Sequence, residues 1–522
     1  MLITYHSTAI FTTLAPREKA SQELIWLPLY TQTCEVLRIF KKLFQQTFIY
    51  GLATVLPRAL AIVLVPLYTS VLKPSDFGLY ATLMSYIILG NVVLSYGMET
   101  AFFRFINKAP SQKKTVQSTA LVSVGISSLS FFLVAFLFRE QLAQLIDFDT
   151  QFISYALLIL VLDALVIIPF VWFRANEKPL KYALIKIINV SINLGCNLFF
   201  LLALPLLVVD HPNTFWDSLY IKDNTVLYVF ISNVIASGAT LIMLLGVYLK
   251  IGFNFSIALW KKMVRYSFPV LIAGIAFSIN EAFDKILLNY LLPSDIAANE
   301  VGVYAACYKL GVFMTLFATA FRLGVEPFFF NHAKQTNAKK TYATITKYYA
   351  ICGSVILLVV VVYIDFFKIL LIQNESYWVA LSIVPIILLA NLCLGIYHNL
   401  SVWYKVTDRT KFGAYVSVLG ACITLGLNLI LIPEIGYIGA ALATLAAYGA
   451  MMFVSYFLGR HYYRVPYDVK RIGIYLVIAI SFAGLSFYIF ERNLWIGTAL
   501  LLVFLLLVLY LERHEIYRII KK

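Results

Sequence analysis

Fourteen apolar runs, each long enough to cross a bilayer, restrict the fold of this 522-residue chain more than any other feature. They fall at 47–70, 79–103, 116–138, 152–173, 182–209, 225–249, 264–292, 301–330, 344–364, 378–400, 412–432, 437–459, 471–490 and 495–511. A hydrocarbon core of roughly 30 Å is crossed by about 20 helical residues. Lipid offers the backbone no hydrogen-bond partner, so each run is predicted to be a continuous helix and the chain an all-α polytopic membrane protein. Turn and breaker residues separate the runs, as at Lys73-Pro74-Ser75-Asp76, Glu177-Lys178-Pro179 and Pro293-Ser294-Asp295. The weakest boundary is 364–378, where Asp365 and Lys368 interrupt apolar sequence. With 61% hydrophobic and only 13% charged residues, the chain could not cover its own surface in water. Soluble enzymes, secreted modules and nucleic-acid binders are thereby excluded.

Charge in the connections sets the orientation. The arm to residue 46 carries +2, and the connections near 104–115, 174–181, 250–265, 331–347, 401–411 and 460–471 carry +4, +2, +4, +4, +2 and +3. The tail after 511 adds +2, whereas the alternate connections are neutral or negative, at 0, −2, −2, −2, −1, −1 and 0. Both termini are therefore expected in the cytoplasm. The net charge of +15 is mostly this orientation signal and does not call for a polyanion partner.

No connection has room for a nucleotide-binding domain, and no GxxxxGK[ST] occurs, so an ATP-driven pump within this chain is excluded. Six scattered cysteines show no CxxC and no Cys/His spacing, so neither a disulfide framework, a metal site nor a cofactor is indicated. Residues 1–46 form an arm whose stretch Val36-Leu37-Arg38-Ile39-Phe40-Lys41-Lys42-Leu43-Phe44 is predicted to lie along the membrane interface.

The second run opens Asp76-Phe77-Gly78-Leu79-Tyr80-Ala81 and the eighth opens Glu300-Val301-Gly302-Val303-Tyr304-Ala305. The pattern recurs six spans later, an even number, so the two halves share one orientation and form a parallel repeat. Four segments are expected: the arm 1–46, a first lobe 47–249 (helices 1–6), a second lobe 250–459 (helices 7–12), and 460–522 with helices 13 and 14 and the tail.

Besides Arg265, Lys347 and Arg471 at run edges, counted above with the connections, ten charged residues fall inside the runs: Arg58, Glu99, Asp163, Lys186, Glu281, Asp284, Lys285, Lys309, Arg322 and Glu326. Each costs roughly 2.5–3.5 kcal/mol at a helix centre, so they are predicted to line a wet cavity or pair with one another. Glu99 and Lys186 stand near run ends, where snorkelling accounts for them. Glu281 and Lys285, four apart, are predicted to pair on one helix face, with Asp284 on the same side; Arg322 and Glu326 repeat the spacing, and Pro327 is predicted to break or kink that helix. Arg58, Lys285, Lys309 and Arg322 make a cationic cavity suited to an anionic ligand. Glu281, Asp284, Glu326 and Asp163 are candidates for ion coupling or pairing.

At these residues the chain resembles a family. Tyr50-Gly51, Pro57-Arg58, Pro66-Leu67-Tyr68-Thr69 and Leu72-Lys73-Pro74-Ser75-Asp76-Phe77-Gly78-Leu79-Tyr80 look like the opening of bacterial polysaccharide (O-antigen-type) flippases, within the multidrug/oligosaccharidyl-lipid/polysaccharide exporter superfamily. Later matches are Asp284-Lys285, Gly302-Val303-Tyr304, Ala320-Phe321-Arg322 with Glu326-Pro327-Phe328, and Asn428 to Pro433 followed by Gly436 to Thr444. The resemblance covers about residues 37–512, and residues 1–36 read as an upstream extension or a misassigned start. It implies twelve-plus-two helices, two six-helix lobes and alternating access, with an undecaprenyl-diphosphate-linked oligosaccharide as substrate. It also implies the bacterial cytoplasmic membrane, H⁺ or Na⁺ coupling, contact with membrane lipids and polysaccharide-polymerase machinery, and no catalytic residues. The diphosphate would fall to Arg58, Lys285 and Arg322. The family usually shows Asp-Arg where this chain has Asp284-Lys285, which keeps the charge and loses the bidentate fork.

Three other readings compete. A cation-coupled multidrug antiporter would need an acidic cavity, against which the bases of the first, seventh and eighth runs argue. A lipid-linked peptidoglycan-precursor flippase lies between. A membrane-embedded transferase would need paired acids in a sizeable loop, and only Asp147 and Asp149 offer themselves.

Overall fold

The computed structural model describes residues 62–108, 112–221, 224–332, 337–407 and 409–520, and no strand occurs among them. The arm 1–46, its predicted interfacial stretch and Arg58 lie outside those residues. Helices follow the expected runs in order. They are α1 (Ile62–Val71), α2 (Pro74–Lys108), α3 (Lys113–Leu137), α4 (Thr150–Ala175), α5 (Pro179–Asp210), α6 (Val226–Ile251) and α7 (Ile257–Leu291). Next come α8, built of Ser294–Tyr308, a 3₁₀ turn Lys309–Gly311 and Val312–His332, then α9 (Ala338–Val362) and α10 (Glu375–Val406). Residues Lys411–Tyr462 hold two helices, 411–434 (α11) and 437–462 (α12), that meet at a kink where Ile435 and Gly436 leave helical geometry. Gly436 turns between them at φ 57°, a conformation open to glycine. α13 (Val469–Ile489) and α14 (Leu494–Ile520) end the chain.

Eleven of the described helices are long and apolar enough to cross a membrane. The difference from fourteen has local causes. α1 is described only from Ile62, α11 and α12 adjoin across the kink at Gly436 and count as one span, and α7 is not among the eleven. The weak boundary at 364–378 is a short helix, Ile364–Leu371, leading into a 3₁₀ entry to α10. α8 stays helical through residue 327 to His332, so the chain does not break there, and it tightens into a 3₁₀ turn at Lys309–Gly311.

Polar residues inside the helices mostly satisfy themselves. Thr82 donates to the Gly78 carbonyl, Ser85 to Ala81 and Thr240 to Ala236, each one turn back, so lipid or a neighbour meets no open hydroxyl. Asp149 caps α4 by accepting from the Gln151 amide at 2.9 Å, and Asp147 ends the preceding short helix with φ 55°. These two acids therefore have structural roles.

The connections divide the bundle into a basic end and an acidic end. At the acidic end the two repeated motifs meet, α2 against α8. A Cβ on Gly78 would overlap the Ala298 carbonyl oxygen, and one on Gly302 would overlap that of Pro74. Two further bonds join the sequence halves there: Tyr377 donates to the Leu72 carbonyl at 2.9 Å, and the Gln373 amide to Thr69 Oγ1 at 3.1 Å. α13 and α14 fasten to α9 at the basic end. Lys347 Nζ lies 2.6 Å from Glu512 Oε2, both side chains being at most 5% exposed, and Tyr475 donates to Glu512 Oε1 at 2.7 Å. Charges that read as connection and tail in the sequence are thus buried and paired.

Candidate functional site: a cation-lined cavity

The 3₁₀ turn at Lys309–Gly311 positions the centre of the site. α10 passes close enough that a Cβ on Gly311 would lie 3.0 Å from Ile387 and 3.3 Å from Asn391 Nδ2. This tightening of α8 brings Lys309 to the wall of a cavity of about 380 Å³ between α2, α7, α8 and α10, which Glu281, Lys285, Arg322, Asn391 and His398 also line. Arg322 and His398 continue into a second cavity of about 290 Å³, whose lining reaches Lys405 and Thr410 at the basic end. The first lies within the roughly 300–1,000 Å³ range of small-ligand pockets, and the second falls just below it. The cations form a descending series: Lys309, then Arg322 beside His398, then Lys405.

Lys285 does not pair with Glu281 as its spacing predicted. Its ammonium lies 2.9 Å from Oδ1 of Asp284, the adjacent residue, and 4.6 Å from the centroid of the Tyr308 ring. The reason lies on α8. Tyr304 donates to Asp284 Oδ2 at 2.6 Å, which fixes a carboxylate only 4% exposed and turns its other oxygen toward Lys285 and the Lys285 amide. A buried carboxylate with three donors holds the nearest ammonium more firmly than an exposed one can. Glu281 is left facing the cavity with no ion pair among the described residues. Lys285 is therefore largely neutralised, whereas Lys309 and Arg322 have no carboxylate partner among the described residues. The side chain of Glu326, the partner expected for Arg322, lies outside what the structure describes.

A buried polar lattice holds α7 behind this wall. Asn280 Nδ2 donates to the Ser417 carbonyl at 3.1 Å, Thr424 donates to Asn280 Oδ1 at 2.8 Å, and Tyr448 donates to the Asn280 carbonyl at 3.0 Å. Neutral polar residues in apolar runs carry no pattern in sequence, so Asn280 and Thr424 were invisible there. Asn391 was missed for the same reason: it is 4% exposed, it lines the cavity, and its buried Nδ2 has no partner among the described residues. His398 does carry a signal in the sequence, an ionisable ring inside an apolar run near its basic end.

Asp163 does not join this site. It lies in the amino-terminal half, accepting from Ser237 at 2.8 Å and Asn91 at 3.4 Å, and lines a separate cavity of about 500 Å³. Lys186 lines that cavity too, 4.3 Å over the Phe170 ring, so it turns inward and does not snorkel. Glu99 forms an ion pair with Arg174 across α2 and α4.

The model of a family described as "Polysaccharide biosynthesis protein" matches residues 43–330. No curated protein matches by sequence. Among solved structures, the lipid II flippase MurJ in its inward closed conformation superposes with a TM-score of 0.65 at 15% identity, covering 90% of this chain and all of that one. An inward-facing multidrug resistance MATE family transporter of the MOP superfamily gives 0.56 at 13% identity, covering 83% and 96%. A MOP superfamily transporter from Pyrococcus furiosus, described by a reversed polarity of its binding pocket, gives 0.54 at 14%, covering 84% and 96%. At such identities the likeness establishes the fold, which is that of multi-pass membrane transporters and flippases and not of enzymes.

Proposed function

The chain belongs to the polysaccharide biosynthesis protein family, and we propose that it flips an undecaprenyl-diphosphate-linked oligosaccharide from the inner to the outer leaflet of the bacterial cytoplasmic membrane. The observation that carries this reading is the cationic surplus of the cavity. Lys309 and Arg322 stand mid-span without a carboxylate partner among the described residues, where each unpaired charge costs roughly 2.5–3.5 kcal/mol. An arrangement that costly is sustained by a ligand of opposite charge, and a diphosphate supplies up to several acceptor oxygens at one point. Arg58 would add a third base from the first helix, and Lys285 a further one when Asp284 releases it.

Alternating access follows from the same geometry. The acidic end is closed by backbone packing of α2 on α8, while the cavity lining reaches the 401–411 connection at the basic end. With the basic end cytoplasmic, the diphosphate enters from the inner side, and separation of Gly78 from Gly302 releases it outward. Glu281, facing the cavity, is the acid best placed to carry a coupling proton or Na⁺.

The test is a reconstituted flip assay with undecaprenyl-diphosphate-linked oligosaccharide, alongside surface polymer in cells. Arg322→Ala and Lys309→Ala proteins that reach the membrane should lose both by at least tenfold. Wild-type rates in both variants would overturn the assignment.

A further inference from the structure

The amino-terminal half carries a cavity of its own, about 500 Å³, enclosed by α2, α4, α5 and α6. Its lining differs in kind from the cationic one. Amide and hydroxyl groups dominate: Asn91, Asn189, Asn233, Ser237, Thr240 and Tyr182. The formal charges there cancel, Glu99 against Arg174 in an ion pair and Asp163 against Lys186. A neutral, amide-rich cavity suits neither a multivalent anion nor an apolar chain.

Several of these groups have hydrogen-bonding capacity left over. Asn91 Oδ1 is buried and has no partner, though its Nδ2 donates to Asp163. Asn189 donates to Thr240 Oγ1 at 2.8 Å and Asn233 to the Val229 carbonyl at 2.8 Å, which fixes each amide and leaves its oxygen without a partner among the described residues. Ser237 is held by Asp163 at 2.8 Å. Fixed acceptors beside donors are what a hydroxylated ligand needs, because each hydroxyl both donates and accepts. An unpartnered buried amide is otherwise a standing cost of about 1–3 kcal/mol.

One face of α2 borders both cavities. Ser85 and Ile88 of α2 line the cationic cavity, and Asn91, Val92 and Ser95 line the neutral one. These positions recur at three- and four-residue steps, the spacing of one helix stripe. From Ser85 to Asn91 the helix rises about 9 Å, so one elongated ligand can reach both.

We propose that the amino-terminal cavity is the sugar subsite, receiving the uncharged, hydroxylated part of the lipid-linked ligand whose diphosphate the cations of α8 hold. Asp163 acts there as a positioning residue, orienting Ser237 and Asn91. This assignment rests on the flippase reading and adds to it a division of labour: one half reads the anion and the other reads the glycan.

The experiment uses the full chain in nanodiscs and two probes, undecaprenyl diphosphate and undecaprenyl diphosphate carrying a short oligosaccharide. The Asn189→Ala/Asn233→Ala protein should bind the glycan-bearing lipid about tenfold more weakly and the sugar-free lipid within twofold of wild type, two lost hydrogen bonds being of that order. Unchanged binding of the sugar-free lipid also shows that the variant is folded. Arg322→Ala should weaken both probes. Equal losses for both probes in the asparagine variant, or no loss for either, would overturn the sugar subsite. Wild-type protein that binds both probes equally would overturn it and leave the flippase reading standing; wild-type protein that binds neither would overturn both.

Discussion

Gly78 and Gly302, 224 residues apart in sequence and equivalent in the internal repeat, face each other where α2 crosses α8. Each helix lies so close that any side chain on one glycine would overlap backbone of the other helix. The repeat is thus also the seam between the halves at the acidic end, and its small residues are what let two backbones approach.

Alanine at either glycine should pry this seam apart. Gly302→Ala is expected to cost about 1–3 kcal/mol of stability, the usual range for overpacking, and to raise labelling of a cysteine placed in the 293–300 connection. Distances between spin labels on α2 and α8 would check it directly. An unchanged distance would show that the contact is not the closure.

The Asp284–Lys285 pair predicts a non-additive pair of mutations. Removing one partner leaves a buried charge uncompensated, at about 3–5 kcal/mol, whereas replacing both costs far less. Lys285→Met should therefore lower Tm more than Asp284→Asn/Lys285→Met together. A thermal-melt series of the two single variants and the double variant in one detergent measures the coupling.

Glu512 should matter to the fold more than a residue near the chain end normally does. It joins Lys347, Tyr475 and Arg471, so α14 is fastened to both α9 and α13. Glu512→Ala is expected to destabilise by about 3–5 kcal/mol and to loosen α14, seen as proteolysis after α13. Lys347→Met with Glu512→Met should recover most of that loss.

Asn391 separates stability from transport. Its unpartnered amide is a cost of about 1–3 kcal/mol in the absence of ligand, so Asn391→Leu should raise Tm while slowing flipping. Higher Tm with unimpaired flipping would remove Asn391 from the site.

Much of the architecture is written in the order of apolar runs, because lipid leaves the backbone one solution, the closed helix. The charges of the connections and the repeated Gly78 and Gly302 motif are legible for the same reason: insertion energy and duplication act on local sequence. The fine structure of α8 was not. Pro327 reads as its break or kink; the helix continues there, and it tightens at Lys309–Gly311, where α10 passes close with Ile387 and Asn391.

The candidate site divides along the same line. Sequence alone identified which charges are expensive: Lys285, Lys309, Arg322, Glu281, Asp284 and Asp163 lie in runs where water is absent. Tertiary structure decided what each does. Tyr304 on another helix claims Asp284, Asp284 then claims Lys285, and Lys309 and Arg322 remain to face the cavity with Asn391 and His398. Asp163 goes to the other half, among amides that no periodicity marks. The cost of burying a charge is a property of the residue and the run it sits in, whereas the partner that offsets the cost is chosen by contacts such as the 2.6 Å bond from Tyr304 to Asp284 between helices, which only the packed bundle sets.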